Sequence, residues 1–184
     1  LRDTRLLNAQ IIGLQETCSD HDQKNLETYA AILRQRGPID WRFERTDALS
    51  PMMCARGVAI YSRYPILGSG RIDLPVFRQR RSAVWVDVDV HGRPLRIYNL
   101  HLENRASISG GVSSEQARLA QVQAVLEHYQ DWKKSHPETP VLVLGDFNSL
   151  GKLWDFKRRE KAILEMSREL APSIKTYRPT LVGW

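Results

Sequence analysis

Cysteine is scarce in this sequence, which has two among its 184 residues, Cys18 and Cys54. A single pair without zinc-ligand spacing excludes a disulfide-rich scaffold and a zinc finger, so both are expected to be thiols. Long apolar runs are missing too, since none approaches the roughly 20 residues that span a bilayer. No charged, apolar and small-residue pattern of a secretion signal opens the chain. We favour a cytoplasmic location, and a secreted one stays an alternative because the chain begins at Leu1 rather than Met.

Basic residues are in moderate excess over acidic residues. Lys and Arg total 27 and Asp and Glu total 21, which gives a formal net charge of +6. This excess favours a polyanionic partner such as nucleic acid. A solvated basic surface explains it equally well, because arginines are spread from Arg2 to Arg178 and form no long run. The length fits one domain with a sizeable core, and we expect residues 1–184 to form a monomeric single domain.

Apolar periodicity predicts a mixture of helices and strands. Helices are predicted over residues 22–36 and 154–170, and a third follows the Ser-x-x-Gln capping box at Ser113. Strands are predicted over residues 11–14, 41–45, 57–62, 84–90, 95–101 and 141–144. The valines of 84–90 alternate with other residues, which indicates one wet face, and His91-Gly92 predicts a hairpin. We therefore expect an α/β fold of two mainly antiparallel sheets flanked by helices, a four-layered sandwich.

Polar residues follow three of the predicted strands. Glu16 closes the first, His101 closes the second half of the hairpin, and Gly145-Asp146-Phe147-Asn148 follows the apolar run 141–144. Ligands tend to collect outside the carboxyl ends of strands in layered sheets. Asp146 and Asn148 are two residues apart, so both side chains can point at one bound phosphate or metal. We expect the functional site to lie there.

Four motifs, in order along the chain, resemble those of the endonuclease/exonuclease/phosphatase superfamily. They are Leu14-Gln15-Glu16, the segment 57–66, Asn99-Leu100-His101-Leu102 and Gly145-Asp146-Phe147-Asn148. That superfamily includes DNase I-like nucleases, abasic-site endonucleases, sphingomyelinases and inositol-polyphosphate phosphatases. The resemblance implies a two-sheet α/β sandwich and Mg²⁺-dependent hydrolysis of a phosphoester or phosphodiester.

The residue types fit that chemistry. Glu16 supplies a hard oxygen ligand, which suits Mg²⁺ or Mn²⁺ better than zinc. Asp146 can orient or deprotonate the attacking water and can also contact the metal. The neutral amide of Asn148 and an N–H of His101 can each donate to a phosphoryl oxygen. The predicted catalytic residues are therefore His101, Asp146 and Asn148, and the predicted metal ligands are Glu16 and Asp146.

The chain also departs from the family pattern at both ends. The family normally opens with a strand that ends in Asn and closes with a Ser-Asp-His motif, and neither is present. No Asp follows Asp155 and no His follows His136, so no other alignment supplies the closing pair. We expect the sequence to be part of a longer protein rather than a degenerate relative.

Several polar residues have plainer structural explanations. Asp146 and Asn148 can form a side-chain-to-backbone turn, which is compatible with catalysis. Arg80 and Arg81 precede the 84–90 strand, where relatives carry a phosphate-facing Arg, but a solvated face is the expected place for each. The remaining histidines have no partner motif and are expected on the surface: His21, His91, His128 and His136.

Three functions follow from these observations. The first is a metal-dependent phosphodiester hydrolase that acts on nucleic acid by water attack on phosphorus. The second keeps the chemistry and changes the substrate to a phospholipid head group or a small phosphoester. The third is a non-catalytic relative that holds a polyanion in the same crevice.

Overall fold

The computed structural model describes residues 7–19, 23–45, 55–104, 112–148 and 161–170. Within these ranges the chain forms seven strands and three helices. The strands are β1 (Ile11–Ser19), β2 (Asp40–Arg45), β3 (Ala55–Ser62), β4 (Ile66–Asp73), β5 (Ser82–Val90), β6 (Arg93–His101) and β7 (Val141–Asp146). The helices are α1 (Lys24–Arg34), α2 (Ser114–Ser135) and α3 (Lys161–Leu170). No helix in the described ranges has the length and apolar character needed to cross a membrane.

The strands form two sheets. The first has the order β1-β3-β2 and is antiparallel throughout. The second has the order β4-β5-β6-β7 and is antiparallel except for the parallel pair β6 and β7. Helix α2 connects that parallel pair, as a crossover between parallel strands requires. The expectation of two mainly antiparallel sheets with flanking helices is confirmed.

Three hydrophobic clusters fill the spaces between the layers. The cluster between the sheets joins Val58 and Ile60 of β3 to the valines of β5. On the other side of β3, Ala59 and Tyr61 pack against α1. The third cluster lies between the second sheet and helices α2 and α3. Both faces of β3 are thus covered, which explains why its sequence is an almost continuous apolar run.

Strand β5 departs in part from its prediction. Val84, Val86 and Val88 face the first sheet, as the alternation predicts. The opposite face is not simply wet, because Trp85 packs into the core beneath the helices. Asp87 on that face makes two hydrogen bonds, of 2.7 and 2.6 Å, with the buried guanidinium of Arg96. Alternation in the sequence identified the inner face and did not show how much of the outer face α2 covers.

Local sequence signals at turns and helix ends were reliable. The hairpin between β5 and β6 turns at His91 and Gly92, whose φ angles are 54° and 83°, as expected for a two-residue primed turn. The capping box of α2 is present: Ser113 and Gln116 each accept from the other's backbone N–H. Helix α3 covers the end of the predicted 154–170 helix, and the preceding part lies outside the described residues.

Strand β4 was not predicted, because its sequence contains Gly68 and Gly70 and resembles a loop. The structure explains Gly70, since a Cβ there would lie 2.6 Å from the ring of Trp85.

The prediction that His128 lies on the surface without a partner was wrong. Its ring packs on Trp85 and Tyr98, and its Nδ1 lies 3.1 Å from the Tyr98 hydroxyl. His91 and His136 are exposed as expected, and His21 lies outside the described residues.

Arg63, in the loop after β3, joins several separate backbone segments. Its guanidinium donates to carbonyl oxygens before β1 and at the end of α1, namely those of Leu7, Ala9, Leu33, Gly37 and Pro38. Terminal carbonyls of a helix have no partner within the helix, and a cation there also complements the helix dipole. Arg63 therefore fixes α1 and the start of β1 on the first sheet.

We predict that Arg63→Lys lowers the free energy of unfolding by about 1–3 kcal/mol, because an ammonium group cannot serve all of these carbonyls at once. Urea unfolding measures the change. Arg93→Lys, on the exposed hairpin, is the matched control and should change stability by less than about 0.5 kcal/mol. Equal effects of the two substitutions would contradict this role for Arg63.

Candidate active site

The structure brings Glu16, His101 and Asp146 together from three different strands. The His101 Nε2 atom lies 3.8 Å from Glu16 Oε1 and 3.9 Å from Asp146 Oδ2. His101 is 4 % exposed, whereas the side chains of Glu16 and Asp146 are 67 % and 52 % exposed. A buried imidazole thus lies behind two carboxylates that face solvent.

Glu16 reaches this place through an irregularity in β1. The sequence predicts that the strand ends at Glu16, but β1 continues to Ser19. Its pairing with β3 shifts by one residue between Leu14 and Thr17, and Glu16 has a left-handed φ of 51°. Such a bulge re-aims a side chain relative to the regular pleat. Glu16 therefore lies within the strand, at a bulge, rather than at its end.

Asn99 holds this part of β1 against β6. The side chain is fully buried, and its amide donates to the carbonyls of Leu14 at 3.0 Å and Ala59 at 2.9 Å. Its own carbonyl accepts from the Gln15 side chain at 2.6 Å. Gly13 makes room for it, since a Cβ there would lie 3.0 Å from Asn99 Oδ1. All hydrogen-bonding groups of this buried amide have partners on the first sheet.

Asn99 belongs to the motif Asn99-Leu100-His101-Leu102 but was not predicted as a site residue, although the sequence contains a signal for it. Asn99 lies between Ile97 and His101 on one face of β6, so a polar residue interrupts a face that otherwise enters the core. A buried amide in that position needs partners, and the first sheet is the nearest source of them.

Asp146 and Asn148 form the side-chain-to-backbone turn that the sequence suggested. Asp146 Oδ1 accepts from the Asn148 backbone N–H at 2.8 Å, and Asn148 has a left-handed φ of 48°. The Asn148 side-chain amide donates to the Leu102 carbonyl at 2.9 Å. Gly145 precedes the turn, and a Cβ there would lie 2.2 Å from the Leu100 carbonyl. The turn leaves Asp146 Oδ2 on the side of His101.

The expectation of a solvated face was wrong for Arg81 and right for Arg80. Arg80 is exposed, but Arg81 is 7 % exposed, and its Nη1 lies 2.9 Å from His101 Nδ1. On its other side, Arg81 Nη2 lies 3.9 Å from Oε1 of the fully buried Glu103. The carboxylate of Glu103 offsets part of the desolvation cost of the buried guanidinium. Neither Arg81 nor Glu103 was predicted as a site residue.

The electrostatics around His101 favour its neutral form. Burial lowers the pKa of His101 below its usual value, and the positive charge of Arg81 lowers it further. Asp146, Glu16 and Glu103 act in the opposite direction on this pKa and do not outweigh burial. The neutral ring, which burial and Arg81 favour, can still donate one N–H.

The two carboxylates fit a hard divalent cation in part. Since both lie within 4 Å of one nitrogen, their nearest oxygens are less than about 8 Å apart, which one ion and a bridging water can span. No set of three or more His, Cys, Asp or Glu side chains in the described ranges is arranged to surround an ion. A site with only two carboxylates is compatible with Mg²⁺, because this ion usually keeps several waters and binds one or two carboxylates.

The family model described as Endonuclease/Exonuclease/phosphatase family matches residues 2–184 of the chain. No curated protein sequence is significantly similar to this chain.

Several solved structures share the fold. Sphingomyelinase C from Streptomyces griseocarneus superposes with a TM-score of 0.66 at 15% identity, over 88% of this chain and 57% of that one. The human Nocturnin catalytic domain with bound sulfate anion has a TM-score of 0.55 at 23% identity, over 76% of this chain and 51% of that one. The mannosyl-6-phosphatase of Bacteroides thetaiotaomicron has a TM-score of 0.55 at 17% identity, over 82% of this chain and 55% of that one. The chain therefore spans about half the length of these structures.

We predict that Asn99→Ala lowers the free energy of unfolding by about 2–4 kcal/mol, because it leaves the Leu14 and Ala59 carbonyls without their donor. Urea unfolding provides the measurement. Asn8→Ala, the same change at an exposed position, is the control and should change stability little. A cost for Asn99→Ala no larger than that of the control would contradict the role of the Asn99 amide in holding β1 against β6.

Proposed function

The chain belongs to the Endonuclease/Exonuclease/phosphatase family, whose members are phosphoester hydrolases, and from this we propose a metal-dependent phosphodiesterase acting on nucleic acid. The observation that carries the proposal is the convergence of Glu16, His101 and Asp146. Hydrolysis of a phosphodiester needs a positioned water, a donor to the phosphoryl oxygens and positive charge beside them. The three side chains can provide the first two and hold the ion for the third.

Glu16 and Asp146 would hold Mg²⁺ or Mn²⁺, ions of the class that enzymes of this family generally use. When bound, the ion supplies positive charge next to the phosphoryl oxygens. Asp146 also orients the attacking water, because its Oδ1 is fixed by the turn and its side chain is 52% exposed, which leaves Oδ2 for a water. His101 donates an N–H to a phosphoryl oxygen from its buried position. Asn148 uses one amide N–H to hold Leu102 and keeps the second for the substrate.

Nucleic acid is the proposed substrate because the net charge is +6, which favours a polyanion. The second candidate is a phospholipid head group or a small phosphoester. The names of two structures with the same fold, a sphingomyelinase C and a mannosyl-6-phosphatase, support that alternative. The non-catalytic polyanion binder is the third candidate.

A substrate panel separates the candidates. We expect the full-length protein to hydrolyse bis-p-nitrophenyl phosphate and single- or double-stranded DNA or RNA with Mg²⁺ or Mn²⁺, and to stop with EDTA. Hydrolysis of sphingomyelin vesicles or p-nitrophenyl phosphate in place of nucleic acid would support the second candidate. Activity that survives chelation would contradict the metal-dependent mechanism, and binding of nucleic acid without turnover would support the third candidate.

Asp146→Asn keeps the shape of the side chain and removes its charge. We predict that kcat falls by at least about 10²-fold, as is typical for loss of a positioned base, while the substrate Kd is little changed. Asp131→Asn on α2, where the side chain is 84% exposed, is the matched control and should leave kcat unchanged. Near-normal turnover in Asp146→Asn would mean that the catalytic carboxylate lies elsewhere.

Asn148→Asp should affect stability and substrate binding rather than turnover alone. The new carboxylate cannot donate to the Leu102 carbonyl and would repel an anionic phosphate, so we expect a loss of stability of about 1–3 kcal/mol together with weaker substrate binding. Urea unfolding and substrate Kd are the two measurements. Unchanged stability would show that the bond to Leu102 does not hold the turn.

A further inference from the structure

The segment 75–80, between β4 and β5, lies next to the candidate active site. At its two ends the Leu74 backbone N–H donates to the Arg81 carbonyl at 3.2 Å, which closes the segment into a loop. The guanidinium of Arg81 lies over the His101 ring, with Nη1 2.9 Å from Nδ1 and 3.3 Å from Nε2. The 75–80 loop therefore ends one residue before a side chain that contacts the imidazole.

Two fully buried side chains hold the backbone of this loop. The carboxylate of Glu103 accepts the backbone N–H groups of Arg78 and Gln79, both at 3.4 Å. The side-chain amide of Gln121, on α2, donates to the Pro75 carbonyl at 3.1 Å, and its carbonyl accepts the Glu103 backbone N–H at 2.8 Å. Because the loop is already held in this way, it loses little conformational entropy when a ligand binds to it.

The solvent side of the same loop is basic. Arg78 and Arg80 are exposed, and neither side chain has a hydrogen bond or an ion pair with another residue in the described part of the chain. Arg71, on the preceding strand, differs from them because it pairs with Asp73. A guanidinium without an acidic partner is well suited to bind a phosphate, since its planar set of donors matches the phosphate oxygens.

We propose that the 75–80 loop binds a polyanionic strand, and that Arg78 and Arg80 contact phosphates that flank the one beside His101. This inference rests on the proposed function and deepens it, because it requires a substrate with several successive phosphates. A nucleic acid strand has that repeat, whereas a sphingomyelin head group has a single phosphate. Contacts of this kind add affinity and fix the position of the strand without reading its base sequence.

The salt dependence of binding tests the proposal without turnover. The measurement is the Kd of the full-length protein for a fluorescein-labelled single-stranded oligodeoxynucleotide, in EDTA and over a range of NaCl concentrations. Each phosphate contact contributes about 0.7 to the slope of log K against log salt for a single strand. We therefore expect Arg78→Gln and Arg80→Gln each to lower the slope by about 0.7 and to weaken binding at low salt.

Two variants serve as controls for this measurement. Arg78→Lys keeps the positive charge and should keep the slope, because counterion release depends on charge. Arg93→Gln removes the same charge from an exposed position at the other end of β6, about 26 Å from His101 at the usual rise per residue, and should also keep it.

Three results would overturn the proposal. The first is a slope in both Arg78→Gln and Arg80→Gln that equals the slope in Arg93→Gln. The second is an unsubstituted protein that does not bind the oligonucleotide. The third is loss of binding to phosphatidylserine vesicles in the two loop variants while oligonucleotide binding is retained, which would assign the loop to a membrane surface.

Turnover separates this inference from the proposed function. The measured quantity is kcat/KM for the oligonucleotide divided by kcat/KM for bis-p-nitrophenyl phosphate, which has one phosphate. We expect this ratio to fall by about two- to fivefold in Arg78→Gln and in Arg80→Gln, the effect of losing one exposed ion pair, and to stay constant in Arg93→Gln. A constant ratio in both loop variants would contradict the inference. If the unsubstituted protein hydrolyses neither substrate, the proposed function fails, and the binding measurements still decide the role of the loop.

Discussion

The buried amide of Asn99 is the constraint on which the site depends. A side-chain amide in an apolar interior costs several kcal/mol unless its groups are hydrogen-bonded. Here all of its partners, the Leu14 and Ala59 carbonyls and the Gln15 side chain, lie on the opposite sheet. Asn99 thereby specifies how the two sheets meet. His101 lies two residues further along the same face of β6, so the same contact places the bulge that carries Glu16 over His101.

The two carboxylates reach His101 from different layers. Glu16 belongs to the first sheet, whereas Asp146 is the last residue of β7 in the second sheet, where it pairs with His101. Neither sheet alone contains both groups, so the site forms only when the sheets are packed. The carboxylates are exposed and can contact an ion and a substrate. The imidazole itself is buried and contacts the buried guanidinium of Arg81.

Sequence patterns predicted the sandwich and the segments of Glu16, His101, Asp146 and Asn148, because apolar strands with polar ends are visible locally. The bulge at Glu16 was not predictable in this way, since it is a property of the pairing with β3. Burial of Arg81 was also missed. It depends on Glu103, which is distant in sequence and becomes a partner only after α2 covers it.

The central claim is that Glu16 and Asp146 together hold a divalent ion beside His101. The most direct test is Mn²⁺ titration of isotopically labelled full-length protein, with paramagnetic broadening measured residue by residue. The claim predicts that stoichiometric Mn²⁺ broadens the resonances of Glu16, His101 and Asp146 first and leaves the His91 hairpin sharp. It also predicts that either Glu16→Gln or Asp146→Asn weakens this effect. Broadening centred elsewhere, or unchanged in both variants, would contradict it.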